Sequence, residues 1–238
     1  MSEQRGVSLW LTSNLEKEFG AYVGVDEVGL GCLAGPIFAA AVVITNYYWP
    51  EIDQLRDSKV IGPRKRIFLA RRIKEECQWA IGTAEVAEID EFGLRSAHAK
   101  AIERAVRTLQ QKRVAVPAVV VDGDAFDLEL GDLPLRFIRH GDDLIPCISA
   151  ASIIAKVARD DHMAELAKEF PEYGWEHNAA YGTEDHKAAM REHGLSPHHR
   201  RSFKPVGRVA HELNDCCDGK KPACCFMHAP KQKPRRSR

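Results

Sequence analysis

The chain has 238 residues, 45% of them hydrophobic and 29% charged, with a formal net charge of zero. That is enough for one sizeable core with an appendage, and the usage is that of a globular protein rather than a disordered or fibrous one. The N-terminal "MSEQRGVSLWLTSN" has no continuous apolar segment of the signal-peptide kind, and the longest apolar run, 37–44, is far too short to span a bilayer. No membrane association and a cytoplasmic location are therefore expected. The seven cysteines, an odd number in a chain read as unexported, are expected to be reduced.

The zero charge hides an asymmetry. From residue 204 to the end there are nine Lys/Arg against three Asp/Glu, and the rest of the chain is acidic to the same extent. A basic tail on an acidic body suits a polyanionic partner, with bound cations balancing the body. A merely solvated tail accounts for the composition equally well.

In chain order, residues 21–28 and 36–45 read as buried strands joined by a glycine-containing connection, a hairpin pattern. Pro63 and the spacing that follows predict a helix over 64–77. A third strand is expected over 79–86 and one long helix over 89–113. Two short strands follow, "AVVVD" at 118–122 and residues 135–138. The small residues of 148–170 suit a helix packed close to a sheet, and 184–193 reads as a helix stopped by Gly194 and Pro197. Beyond about Gly207 no pattern remains, and 207–238 is expected to be a flexible, basic, Cys-rich tail. A hairpin followed by alternating strands and helices indicates a mixed α/β sheet.

Three of these strands end in, or lead into, acids: Asp26 with Glu27, Asp122, and Asp142 with Asp143. Strand ends are where α/β sheets build sites. Neighbours on a strand point to opposite faces, so one site served by both Asp26 and Glu27 requires the strand to twist out of register, which Gly29 and Gly31 would permit. Carboxylates gathered together repel, and hard divalent cations relieve the repulsion; all-oxygen ligation suits Mg²⁺ or Mn²⁺. A pair of such ions can clamp the attacking and leaving oxygens of a phosphodiester. Surface acids at strand ends are the competing reading.

The segments "GVDEVGLGCLAGP", "DSKVIGPRKR", "VVVDGD", "GDDLIPCISAASIIAKVARD" and "YGTEDHKAAMREHGLSPHHRRSFKPV" together resemble the successive blocks of bacterial ribonuclease HII, in that family's order, over roughly residues 22–206. The resemblance implies an α/β ribonuclease H-like fold: a central mixed five-stranded sheet flanked by helices, with a helical C-terminal part. It divides the chain into an extension at 1–20, a catalytic domain at 21–206 and the tail at 207–238. It implies an endonuclease that cuts the RNA strand of RNA–DNA hybrids, and ribonucleotides embedded in duplex DNA, leaving 5′-phosphate and 3′-hydroxyl ends, with roles in DNA replication and repair. By motif, Asp26, Glu27, Asp122 and Asp142 are the catalytic acids and would hold two Mg²⁺ or Mn²⁺ ions; Asp143 and Asp160 compete for the fourth place. Tyr181 matches the tyrosine that stacks on the sugar past the ribonucleotide. Gly29, Leu30 and Gly31 match the loop that approaches the ribonucleotide, and Lys59, Arg200 and Arg201 match positions suited to backbone phosphates. A monomer is expected.

Two departures stand out. The family usually has Gly-Arg-Gly where this chain has Gly29-Leu30-Gly31, so the charge-assisted hydrogen bond of an arginine is missing. Weaker cutting at single ribonucleotides than in longer RNA tracts is the expectation, with a hybrid-only nuclease or a catalytically silent hybrid binder as the rival readings. Ala180 replaces the usual glycine before the tyrosine. His198 and His199 are read as phosphate contacts or packing rather than general bases. Cys216-Cys217 and Cys224-Cys225, with His211 and His228, have adjacent-pair spacing unlike a C-x₂-C zinc site, and "KQKPRRSR" reads as a nonspecific nucleic-acid arm.

Overall fold

The structure is a computed structural model and describes residues 2–213 and 215. Helix α1 (Ser2–Phe19) precedes strand β1 (Val23–Val28), which pairs antiparallel with β2 (Ile37–Val43). Helix α2 (Pro63–Glu76) begins at the proline, whose missing amide hydrogen costs nothing in a first helical turn. Strand β3 (Gln78–Ala84) returns antiparallel to β2. Then follow α3 (Val86–Phe92), α4 (Leu94–Gln111), β4 (Val119–Asp122), β5 (Leu135–Ile138), the one-turn α5 (Gly141–Leu144) and the long α6 (Pro146–Glu169). The helical C-terminal part comprises α7 (Trp175–Asn178), α8 (Glu184–His193) and α9 (Lys204–Glu212).

The sheet order is β3-β2-β1-β4-β5, with β4 parallel to β1 and to β5. This is the mixed five-stranded sheet flanked by helices that the sequence led us to expect. Alternation along the strands fills two cores. Tyr22, Ala40 and Val42 face α6 and α2 with Leu69, Ile73, Ile148 and Ile154. Val23, Val25, Ala39 and Ala41 face α4 with Ala101, Ile102, Val106 and Leu109. Close approach of α6 to β1 is made possible by Gly24, where an added Cβ would lie 2.4 Å from the carbonyl carbon of Cys147. A third core, around Met163, Tyr173, Trp175, Met190 and Val209, joins the C-terminal part to Cys32, Leu33 and Ala34 in the β1–β2 connection.

Three expectations are corrected. The helix expected over 89–113 is two helices, because Gly93 ends α3 and a capping box of Glu85 and Glu88 opens it earlier, at Val86. Regular structure continues past Gly207: α9 runs to Glu212, its Val206, Val209 and Ala210 buried, so the boundary placed at 206/207 falls inside a helix. The ladder between β1 and β2 is unbroken through Asp26, Glu27 and Val28, so the strand does not twist out of register there. No helix among the described residues is long and apolar enough to cross a membrane. Cys32, Cys77 and Cys147 are free and buried; Cys216, Cys217, Cys224, Cys225, His228 and the basic terminus lie outside the described residues.

Candidate active site

Asp26 and Asp122 come from the adjacent central strands β1 and β4, and Asp142 from the turn after β5. Asp26 is buried, on the α6 side of the sheet, where it is hydrogen-bonded to Ser152 and its Oδ1 accepts the Glu27 amide at 2.7 Å. Burial first, and the charge of Glu27 next, raise its pKa well above the ordinary carboxylate value. Asp122 Oδ1 accepts the amides of Gly141 at 2.7 Å and Asp142 at 3.4 Å, which ties the end of β4 to α5. Burial nonetheless raises its pKa, those two bonds offsetting part of the effect. Asp142 is pushed up to about 6 by burial and by the charges of Asp122 and Asp57. Its own carbonyl accepts the Ser149 hydroxyl at 2.6 Å, locking the turn onto α6.

Lys59 brings the only cation in ion-pair range of these acids among the described residues. Its Nζ is 3.8 Å from Asp142 Oδ2 and 3.6 Å from Asp57 Oδ1, with the side chain 76% exposed. Burial works to lower its pKa, but the charges of Asp57 and Asp142 outweigh it. The loop that carries Lys59 is held from beneath. Arg66 donates to the carbonyls of Ser58 at 2.9 Å and Ile61 at 2.8 Å, and Ser152 donates to the Ser58 hydroxyl at 3.0 Å. Asp160 is committed to Arg66 and Lys156, and Asp143 is exposed on the turn.

Glu27 departs from this group. With β1 regular, it points to the α4 side, where its Oε2 lies 3.0 Å from His98 Nε2. The approach is off the axis of a hydrogen bond, and both atoms are buried without one. His98 also packs against the Phe126 ring, 4.6 Å between centroids. Among the described residues no three His, Cys, Asp or Glu side chains stand close enough, as placed, to hold a metal ion. The chemistry of the donor set Asp26, Asp122 and Asp142 still fits a hard divalent cation: all-oxygen acids, two of them buried, whose pKa values are raised chiefly by burial.

The glycine loop, residues 29–36, is stitched down by two buried arginines. Arg159 donates to the carbonyls of Ala34, Pro36 and Ala179. Gly29, with φ +97°, lies against it, and an added Cβ would sit 2.4 Å from Arg159 Nε. Arg200 is fully buried and donates to Gly35 at 2.9 Å and Leu30 at 3.1 Å. Arg200 thus gives two of its nitrogens to backbone carbonyls and keeps Nη2 buried without a hydrogen-bond partner, with no exposed atom facing a phosphate in this structure. Arg201 is partly exposed and pairs with Asp215 at 2.9 Å. The Leu30 side chain packs against the core on the α4 side, and around Gly31 there is open space for a Cβ. Tyr181 is 44% exposed and contacts Cys32 of this loop. His199 is packing, being buried, whereas the His198 ring lies edge-on to Phe170 and Trp175.

Sequence reasoning missed His98, Ser152, Arg66 and Arg159. The first had a signal, an imidazole amid small residues on a helix with a strong apolar face. The arginines had none, since a buried arginine and a surface one read alike in sequence.

A model of the family described as Ribonuclease HII matches residues 23–206. A ribonuclease HII of Novosphingobium aromaticivorans is 46% identical over 193 residues, 79% of this chain and 97% of that one. Among solved structures, the ribonuclease H2 from Pyrococcus horikoshii OT3 aligns with a TM-score of 0.69 at 22% identity, over 82% of this chain and 99% of that one. Bst-RNase HIII in complex with Mn²⁺ aligns with a TM-score of 0.63 at 19% identity, over 82% and 70%. These last two likenesses are of fold.

Proposed function

The chain belongs to the ribonuclease HII family and is a hydrolase of ribonuclease H type, and we propose that it cuts the RNA strand of RNA–DNA hybrids and ribonucleotides embedded in duplex DNA, leaving 5′-phosphate and 3′-hydroxyl ends. The observation that carries this reading is the placement of Asp26 on β1 beside the β4 strand that ends in Asp122, whose Oδ1 accepts the amides of Gly141 and Asp142, with Lys59 in ion-pair range of Asp142. Asp26, Asp122 and Asp142 would hold Mg²⁺ or Mn²⁺, two ions during catalysis, with Glu27 joining them by leaving His98. Such ions supply an activated water and stabilise the leaving 3′ oxygen.

The rest is done by the protein's own groups. The amides of Gly141 and Asp142 fix one oxygen of Asp122 and leave the other free. Ser152 holds Asp26, and the tether of Ser58 to Ser152 sets the distance of the Lys59 loop from it. Exposed Lys59 is placed to meet a phosphate next to the acids. The ring of Tyr181 offers a face to the sugar beyond the cut, and the backbone around Gly31 admits close approach of the ribonucleotide.

Substituting Asp122 with Asn tests it. The amide oxygen can still accept from Gly141, so the turn is retained. Cleavage should fall by about a thousandfold, equivalent to ~4 kcal/mol of transition-state stabilisation, while hybrid binding persists. Undiminished cleavage by that variant would reject the assignment of the acids. No cleavage by the parent, folded and with either metal, would favour a silent hybrid binder.

A further inference from the structure

Tyr181 stands on strained backbone. The two residues before it, Ala179 (φ 46°) and Ala180 (φ 63°), are both left-handed, a conformation that L residues with a Cβ avoid unless neighbours impose it. Several bonds impose it here. Arg159 Nη1 donates to the Ala179 carbonyl at 3.0 Å, and Ala180 donates to Asn178 Oδ1 at 2.8 Å. The Leu33 amide donates to the Ala180 carbonyl at 2.8 Å, joining this turn to the glycine loop. The Tyr181 amide donates to Asn178 O at 2.9 Å.

Beneath the turn lies a buried pair of histidines whose proton positions follow from their partners. His186 Nδ1 is 3.0 Å from the Tyr181 carbonyl, which can only accept, so Nδ1 carries the proton. His186 Nε2 is 3.0 Å from the indole nitrogen of Trp175, which can only donate, so Nε2 accepts. His199 Nδ1 accepts the Ser196 amide at 3.0 Å, and its Nε2 proton, 3.2 Å from His186 Nε2, shares with the indole the one lone pair of that nitrogen. Every ring nitrogen is accounted for, and both histidines are neutral. His186 is fully buried, His199 is 1% exposed and Trp175 fully buried, so none of them reaches the surface where substrate lies. The backbone of His199 pairs with Ala34, so the same unit fixes the glycine loop.

We propose that His186, oriented by Trp175 and His199, is a positioning residue for Tyr181: its Nδ1 proton sets the peptide from which the exposed ring projects, and so the distance between that ring and the glycine loop. The proposal rests on the reading that Tyr181 stacks on the substrate sugar.

The two amide replacements of a histidine separate this role from general support of the core. Asn places a donor where Nδ1 was, facing Tyr181. Gln places its polar group where Nε2 was and leaves the Tyr181 carbonyl without that donor. In the full chain acting on a duplex with an RNA tract, His186→Gln should raise KM about tenfold and His186→Asn by no more than about threefold, the loss of one buried hydrogen bond. The change in kcat, and the fall in melting temperature, should be shared by both. In a Tyr181→Ala background the two variants should have the same KM. Equal KM for Gln and Asn with Tyr181 present, or a difference that survives its removal, overturns the positioning role. A Tyr181→Ala enzyme with the parental KM overturns instead the stacking reading, and the proposal with it. Should neither variant at 186 fold, Trp175→Phe, which deletes the indole donor and keeps a ring, replaces them: KM should rise only when Tyr181 is present, and a rise independent of Tyr181, or none, overturns the role.

Discussion

His98 Nε2 lies 3.0 Å from Glu27 Oε2, across the sheet from Asp26. The alternation of β1 points Glu27 to the α4 face, where it meets His98, so a metal shared with Asp26 requires the Glu27 side chain to leave that contact. His98→Ala should lower the melting temperature of the metal-free protein, the lost ring packing and polar contact being worth ~1 kcal/mol. It should also tighten Mn²⁺ binding by up to about threefold, because the close approach of Glu27 to His98, worth less than a hydrogen bond, no longer has to be given up. Titration of free Mn²⁺ by electron paramagnetic resonance reads the second effect without turnover. Weaker binding in the variant would show that His98 helps Glu27 toward the metal.

Lys59 and Arg200, matched alike by motif, should behave differently. Lys59 is exposed, so Lys59→Ala should weaken hybrid binding and reduce the slope of log affinity against log salt by about one, the signature of one lost phosphate contact. Arg200 bridges two carbonyls from a fully buried position. Arg200→Lys cannot span both and should cost ~3 kcal/mol of stability with the salt slope unchanged. Thermal melts and binding at three salt concentrations decide between these roles.

Leu30 packs its side chain inward while its carbonyl is held by Arg200. In Leu30→Arg the carbonyl held by Arg200 keeps the loop backbone in place, while the longer side chain gives up the apolar contact and carries its cation out to solvent. The ratio of cleavage at a single ribonucleotide to cleavage within an RNA tract should rise by about tenfold, the worth of one charge-assisted hydrogen bond of ~1.5 kcal/mol. An unchanged ratio would remove Leu30 from the determinants of substrate choice.

Metal binding should depend on pH in a direction fixed by Asp142. Its pKa is raised to about 6, so without metal the folded state holds a proton that the unfolded chain has released. That contribution to stability is complete below the ordinary carboxylate value and is lost as pH rises through about 6. A cation binds the deprotonated form, so affinity should strengthen as pH rises through the same range, with Asp26 acting in the same direction. Calorimetry in two buffers of different ionisation heat should show more protons released per Mn²⁺ at pH 5.5 than at pH 7.5. The opposite trend would mean that Asp142 is not a ligand.

The sheet was legible because β1, β2 and β4 are apolar runs that a buried strand requires, and α8 because Gly194 and Pro197 stop it. The division of α3 from α4 was hidden, since Gly93 interrupts a periodicity that continues on both sides. The gathering of Asp26, Asp122 and Asp142 could be anticipated from acids at strand ends. The side chosen by Glu27 could not, because a strand's alternation says that it opposes Asp26 and not what awaits it there. The tie of Arg200 to the glycine loop was hidden for a related reason: its partners are main-chain carbonyls far away in sequence, which no motif displays.

The order β3-β2-β1-β4-β5 has a consequence for synthesis. The first strand and its antiparallel partners can pair while the rest of the chain is still emerging from the ribosome, because all three are made before residue 85. The parallel strand that bears Asp122 arrives only after two further helices, and the long helix that covers Asp26 later still. Non-local pairings of this kind form late. A nascent chain therefore carries Asp26 and Glu27 without a neighbouring acid on the sheet until β4 has been made. The face of the sheet that bears Asp26 is therefore closed only by the last elements to be made, and the docking of α6 is the step that turns separate strand-borne acids into one site.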